Sequence, residues 1–127
     1  MTEGSTSFRQ VRMIIHIENL RLRTVVGIFE WEKNVKQDVI INIEIEFDGT
    51  KAIESDDIAH TIDYKSITKQ IIAEVEEKEY NLIERIAGDV VRIILEDERV
   101  ESASVRIDKP GALRFADSVS VIHTESR

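Results

Sequence analysis

The sequence predicts an α+β domain in which an antiparallel sheet carries two helices on one face, in the order β-β-α-α-β-β. Three patterns carry this prediction. Val39, Ile41, Ile43, Ile45 and Phe47 recur at strict period two, the mark of a strand buried on one side and wet on the other. Ile67, Ile71 and Val75, then Ile83, Ile86, Val90 and Ile94, recur at helical spacing with charged residues between them. Beyond them come two more alternating runs, residues 100–107 and 118–123, separated by the only proline of the chain.

Taken in order, residues 1–12 are expected as an N-terminal tail, with no apolar stretch of the kind a secretion signal needs. A single domain is expected over residues 13–124, and residues 125–127 as a C-terminal tail. Ile15, Ile17, Leu20 and Leu22 predict a first strand, and the β-rich composition runs on to Phe29, with Gly27 as a bend or bulge. Residues 30–37 are polar around Trp31 and predict a loop. Trp31 is expected to anchor that loop, and Glu32, by default, to be a solvated charge. The period-two strand ends at Asp48-Gly49. Residues 51–61 predict an irregular acidic connection with a short helix, residues 64–78 a first long helix, and Asn81 a cap for a second. Glu84, three residues after Asn81, fits a capping box, and Glu96-Asp97-Glu98 ends that helix.

At 127 residues with 42% hydrophobic content the chain can build a real core. A net charge of −8 argues against a nucleic-acid binder, which needs a basic face. With no cysteine there are no disulfides, thiolate nucleophiles or cysteine metal sites, a composition that fits the cytoplasm. No apolar run is long enough to span a bilayer. His16, His60 and His123 are too scattered to suggest a metal triad, and no glycine cluster leads into a phosphate loop.

The chemistry therefore falls to carboxylates, a tyrosine and lysines. Lys109 ends a strand and is held extended by Pro110, so it can project into a cleft; the plainer alternative is a lysine that blunts a strand end in solvent. Glu84 can cap its helix or bind a flat edge with two parallel N–H donors. Tyr64 can pack or lie against a heterocycle.

Several of these residues fall into one larger pattern. Val26-Gly27-Ile28, Trp31-Glu32, Gln37, Asp63-Tyr64, Asn81-Leu82-Ile83-Glu84-Arg85 and Val105 through Ala112 stand in the order and spacing of the dihydroneopterin aldolase family. The chain resembles that family, which includes the dihydroneopterin triphosphate 2′-epimerases, from about residue 14 to residue 121. The resemblance implies the tunnelling fold, in which sheets of four subunits close a barrel and two rings stack into a homo-octamer. It implies a pterin substrate and retro-aldol chemistry in folate biosynthesis, with no cofactor and no metal. Lys109 would serve as general acid and base near N5 of the dihydropterin, with Glu32 pairing with it or ordering the hydroxyl network. Tyr64, from a neighbouring subunit, would lie against the ring and join in proton transfer. Glu84 would anchor the amino–amide edge, helped by the backbone at Ile83, and Ile62 and Asp63 would contact the pterin through their backbone.

The branch is mixed. Glu30-Trp31-Glu32 and Lys109-Pro110-Gly111-Ala112 look like aldolases; residues 20–24, 37–39 and 112–120 look like epimerases. The expectation is set at the aldolase, which splits 7,8-dihydroneopterin into 6-hydroxymethyl-7,8-dihydropterin and glycolaldehyde. The alternatives are the epimerase and a non-catalytic pterin-binding barrel. Arg21, Arg23 and Arg114 could supply charge for a triphosphate or could simply face solvent.

Overall fold

The structure is a computed structural model and describes residues 10–127. Its elements are β1 (Arg12–Val26), β2 (Lys36–Asp48), α1 (Thr50–Ser55), α2 (Tyr64–Glu77), β3 (Glu79–Tyr80), α3 (Ile83–Leu95), β4 (Val100–Pro110) and β5 (Ser118–Ser126). The strands form one sheet of order β3-β1-β2-β4-β5. All pairings are antiparallel except that of β3 with the end of β1, where Val25 faces Glu79 and Val26 faces Tyr80. The sheet thus has a fifth strand not expected from the sequence, because two residues between two helices are too few to show a period.

The alternation on β2 and β4 sorts side chains as read: Val39, Ile41, Ile43 and Ile45, with Ala103, Val105 and Ile107, are all but inaccessible. Against them pack Ile71 and Val75 of α2 and Ile86, Val90 and Ile94 of α3. Full burial of each such side chain contributes about 1.5–3 kcal/mol before entropy is counted. Thr24, also fully buried, donates from Oγ1 to Val75 O at 2.7 Å and Lys78 O at 3.2 Å, which gives carbonyls at the end of α2 a partner and pins that end to β1.

β1 keeps one face inward along its 15 residues only by a bulge. Ile17 pairs with Ile43 but Leu20 with Ile41, so β1 carries one more residue than β2 there. Asn19 takes the strain, at φ +53°, and its N–H donates to Asn42 Oδ1 at 2.8 Å. Other expectations change at element ends. Residues 125 and 126, expected as a tail, continue β5, and Arg127 donates from Nε to Val100 O at 2.7 Å. The N-cap of α3 is Leu82, with no side-chain cap bond, rather than Asn81. The capping box therefore does not form. Residues 1–9 of the expected N-terminal tail lie outside the described residues.

Candidate active site

The end of β1 opens the site. At Gly27 the backbone takes φ +147°, a region that favours glycine. The chain then makes a short 3₁₀ turn, Glu30–Glu32, which folds the Glu32 side chain back over Gly27. A Cβ on Gly27 would meet that carboxylate, so the missing side chain is what gives Glu32 its place.

Glu32 is 4% exposed, whereas Trp31 beside it is 65% exposed. The loop is anchored by its carboxylate and not, as expected, by its indole. Phe29 N–H donates to Glu32 Oε1 at 3.2 Å. Gln37 Nε2 donates to Glu32 Oε2 at 3.0 Å and to Val26 O at 2.9 Å. Lys109 Nζ, at the end of β4, donates to the same Oε2 at 2.7 Å, with its side chain only 15% exposed. The hydrogen bond from Lys109, then that from Gln37, outweigh the cost of burial and hold the Glu32 carboxyl at a pKa of about 2. Glu32 is therefore an anion at any working pH, an acceptor that orients Lys109 rather than a reservoir for protons.

Opposite this pair lies the start of α3. Gly27 N–H donates to Tyr80 O at 3.1 Å, which stitches the end of β1 to β3 directly before Asn81-Leu82-Ile83-Glu84. Asp89, 5% exposed, holds the same segment from below: it accepts from Tyr80 OH at 2.9 Å, Arg85 Nε at 3.2 Å and Lys78 Nζ at 3.2 Å. Burial raises the Asp89 pKa, and these donors more than reverse that, leaving it below the ordinary carboxylate range. Burial and then the Asp89 carboxylate push the Tyr80 phenol up. Glu84 is left open. It sits in the first turn of α3, is exposed, and makes no hydrogen bond or ion pair among the described residues.

Glu32, Ile83, Glu84 and Lys109 thus border one cleft of about 320 Å³, closed on its sides by Gly27, Trp31 and Ala112. The volume lies at the small end of ligand pockets. The arrangement offers an open carboxylate at one wall, a lysine fixed by a buried carboxylate at the other, and apolar surface between them.

The other expected site residues are elsewhere in the same chain. Ile62 is buried in the core and borders a second recess with Phe47, Asp48 and Arg99. Asp63 caps α2, its Oδ1 accepting from Ser66 N–H at 3.1 Å. Tyr64 opens α2 and is 51% exposed. In β2, Ile40 lies across from Asp108 and Phe47 from Val100; at about 3.3 Å per residue, that run separates the two regions by roughly 20 Å. Gln37 entered the sequence reading only as a landmark, and Gly27 as a landmark and a bend; their contacts with Glu32 had no local signal. His60 meets Ser55 Oγ at the surface and His123 meets Glu125; among the described residues no group of His, Cys, Asp and Glu is placed to hold a metal. Among the described residues no helix is long and apolar enough to cross a membrane.

The sheet and its helices share the fold of a solved pterin-bound enzyme. Residues 15–124 match the family described as FolB, dihydroneopterin aldolase, and the chain belongs to that family. Among its relatives, the dihydroneopterin triphosphate 2′-epimerase of Pseudomonas aeruginosa PAO1 is 46% identical over 107 residues, 84% of this chain and 87% of the relative. The dihydroneopterin aldolase of Escherichia coli K12 is 33% identical over 109 residues, 86% of this chain and 89% of the relative. The crystal structure of E. coli dihydroneopterin aldolase in complex with neopterin superposes with a TM-score of 0.85 at 32% identity, covering 90% of this chain and 99% of that one.

Proposed function

We propose that the chain is a dihydroneopterin triphosphate 2′-epimerase that works through the retro-aldol step it has in common with the aldolases. One observation carries the branch: identity to the epimerase is 46% and to the aldolase 33%, over nearly the same stretch of chain. The sequence expectation put the aldolase first; the relatives favour its alternative.

The site supports the chemistry. Glu84, without a partner among the described residues, is the group to accept the two parallel N–H donors of a pterin's amino–amide edge. That would set the ring in the cleft with its side chain toward Lys109, and a pterin ligand agrees with the E. coli aldolase having been solved in complex with neopterin. Cleaving the bond between C1′ and C2′ requires loss of the 2′-hydroxyl proton and a sink for the bond's electrons. The dihydropterin is its own sink once N5 is protonated, since an iminium accepts the electrons and becomes an enamine. Lys109, oriented by Glu32, is the residue placed to move protons between these atoms. Returning the aldehyde carbon to the enamine through its opposite face gives the 2′-epimer.

Tyr64, Asp63 and Ile62 complete the site from a second subunit, since within one chain they lie at the far end of the sheet. Association of copies into the tunnelling-fold barrel, as a homo-octamer, follows the same resemblance.

The test is a product assay with two substrates. Dihydroneopterin triphosphate should give mainly its 2′-epimer. Glycolaldehyde from unphosphorylated dihydroneopterin as the main activity would restore the aldolase reading, and retention of pterin with no turnover would leave a binding protein.

A further inference from the structure

The cleft that would receive a triphosphate has little to hold one with. Among the described residues Lys109 is the only cation on its wall, and Glu32 neutralises it; Glu84 adds a negative charge that has no partner among them. The tail must therefore be met outside the cleft. Arg21 is a poor candidate: Leu22 faces the core, so Arg21, one residue earlier on β1, points to the opposite face of the sheet. Arg23 shares that face and pairs with Asp38 at 3.3 Å.

The turn between β4 and β5 is different. Gly111 and Ala112 border the cleft, and the tip follows at once, with Ala116 N–H donating to Leu113 O at 3.4 Å. Arg114 at that tip has no ion pair and no hydrogen bond among the described residues. The carboxylate of the same turn, Asp117, pairs with no cation there either. The guanidinium of Arg114 instead stands over the Phe115 ring, 5.3 Å from its centroid. Phe115 is 98% exposed and holds φ +75°, a conformation that bulky side chains avoid. Strain of this kind, unrewarded by burial, points to a function for the turn.

We propose that Arg114 is a specificity-determining residue that grips the triphosphate tail and so keeps the cleaved fragment in the site until it rejoins. The inference rests on the epimerase reading above. When the base takes the 2′-hydroxyl proton, the oxygen's electrons form the C2′ carbonyl and the electrons of the C1′–C2′ bond pass to the iminium, which becomes the enamine. The departing aldehyde carries the phosphates. Addition of the enamine to the other face of that carbonyl, with return of the proton, re-forms the bond with C2′ inverted. Nothing is oxidised or reduced. What separates epimerisation from cleavage is whether the fragment leaves first, and a guanidinium fork on its phosphates slows that departure.

The experiment measures the ratio of 2′-epimer to released phosphorylated glycolaldehyde, from dihydroneopterin triphosphate, in the wild type and in Arg114→Ala, Lys33→Ala and Phe115→Gly. Lys33 is an exposed cation just after Glu32, so its removal reports the effect of losing charge nearby. Arg114→Ala should lower the ratio about tenfold, the loss of one good charged contact. Lys33→Ala should stay near the wild-type value. Phe115→Gly should lower the ratio at an unchanged or higher melting temperature, because glycine relieves the backbone while removing the ring. An unchanged ratio in Arg114→Ala, or an equal fall in Lys33→Ala, overturns the proposal. If the wild type turns over no triphosphate, the epimerase reading fails by itself. Equilibrium binding then decides the role of Arg114: the preference for the triphosphate over unphosphorylated dihydroneopterin should fall about tenfold in Arg114→Ala, and absence of that preference or of its fall refutes it.

Discussion

Gly27 and Glu32 compete for one space: a Cβ at residue 27 would stand 2.1 Å from the Glu32 carboxyl carbon and 2.1 Å from its Oε1. Those atoms are not a free side-chain end that can swing aside, since Phe29, Gln37 and Lys109 hold them. Gly27→Ala should therefore displace Glu32 and with it Lys109. We expect a loss of about 1–3 kcal/mol in stability, from the backbone strain alone, together with a fall in kcat. Denaturation and turnover measured side by side check this; a fully active, fully stable variant would show that the carboxylate can relocate without consequence.

The Glu32–Lys109 pair also sets an acid limb. The folded-state pKa of Glu32 is lowered from 4.5 to about 2, so the pair's contribution to stability is fully present above about pH 4.5 and is lost as the pH falls toward 2. Lys109→Met should be less stable than the wild type at neutral pH, and the difference should shrink across that window. Urea unfolding of both proteins at several pH values reads it directly. A constant difference would mean that Lys109 acts through packing and not through charge.

Glu84 makes no hydrogen bond or ion pair among the described residues. Glu84→Gln should leave the melting temperature within a degree or so while weakening neopterin binding by about tenfold to a hundredfold, the range for a lost charged hydrogen bond. Calorimetric titration and thermal melts separate the two effects. A lowered melting temperature with intact binding would return Glu84 to a role in starting its helix.

If the site is built from two subunits, its halves can be supplied by different defective chains. Tyr64→Ala and Glu84→Ala proteins, each of low activity, should regain activity when unfolded together and refolded as a mixture, because some interfaces then carry both wild-type residues. Mixtures that stay as inactive as their components would place Tyr64 outside the site.

Elements whose signal is local were legible in the sequence. The alternation of Val39 to Phe47 and the four-residue spacing of Ile67, Ile71 and Val75 report their own burial, because neighbours along the chain share a face. Glu32 could not be read this way. Its partner Lys109 lies 77 residues on, and a glutamate in a polar loop looks solvated until that partner is in view. Trp31 misled for the complementary reason, since a large apolar ring suggests an anchor whether or not the fold has room for it. The strand at Glu79 and Tyr80 is fixed by Val25 and Val26 of β1, not by anything in its own two residues. Asn81 had the chemistry of a cap, but the chain runs extended through Leu82 before the helix starts.

The bulge beside Asn19 works as a phase shift in β1. Before it, odd-numbered residues such as Ile15 and Ile17 face inward; after it, even-numbered ones such as Leu22, Thr24 and Val26 do. Deleting Asn19 alone would remove the extra residue and set Glu18 beside Leu20, so the alternation would run unbroken from Ile17 to Val26 with Leu22, Thr24 and Val26 still inward. Deleting Arg23 instead would turn Thr24 and Val26 out of the core, and deleting Leu22 with Arg23 would keep the phase but draw Gly27 back along the sheet by about 7 Å, away from the lysine its loop must reach. The regular run after the bulge is thus doubly filtered, by parity for the core and by length for the site, while the bulge itself can lose its extra residue and keep both.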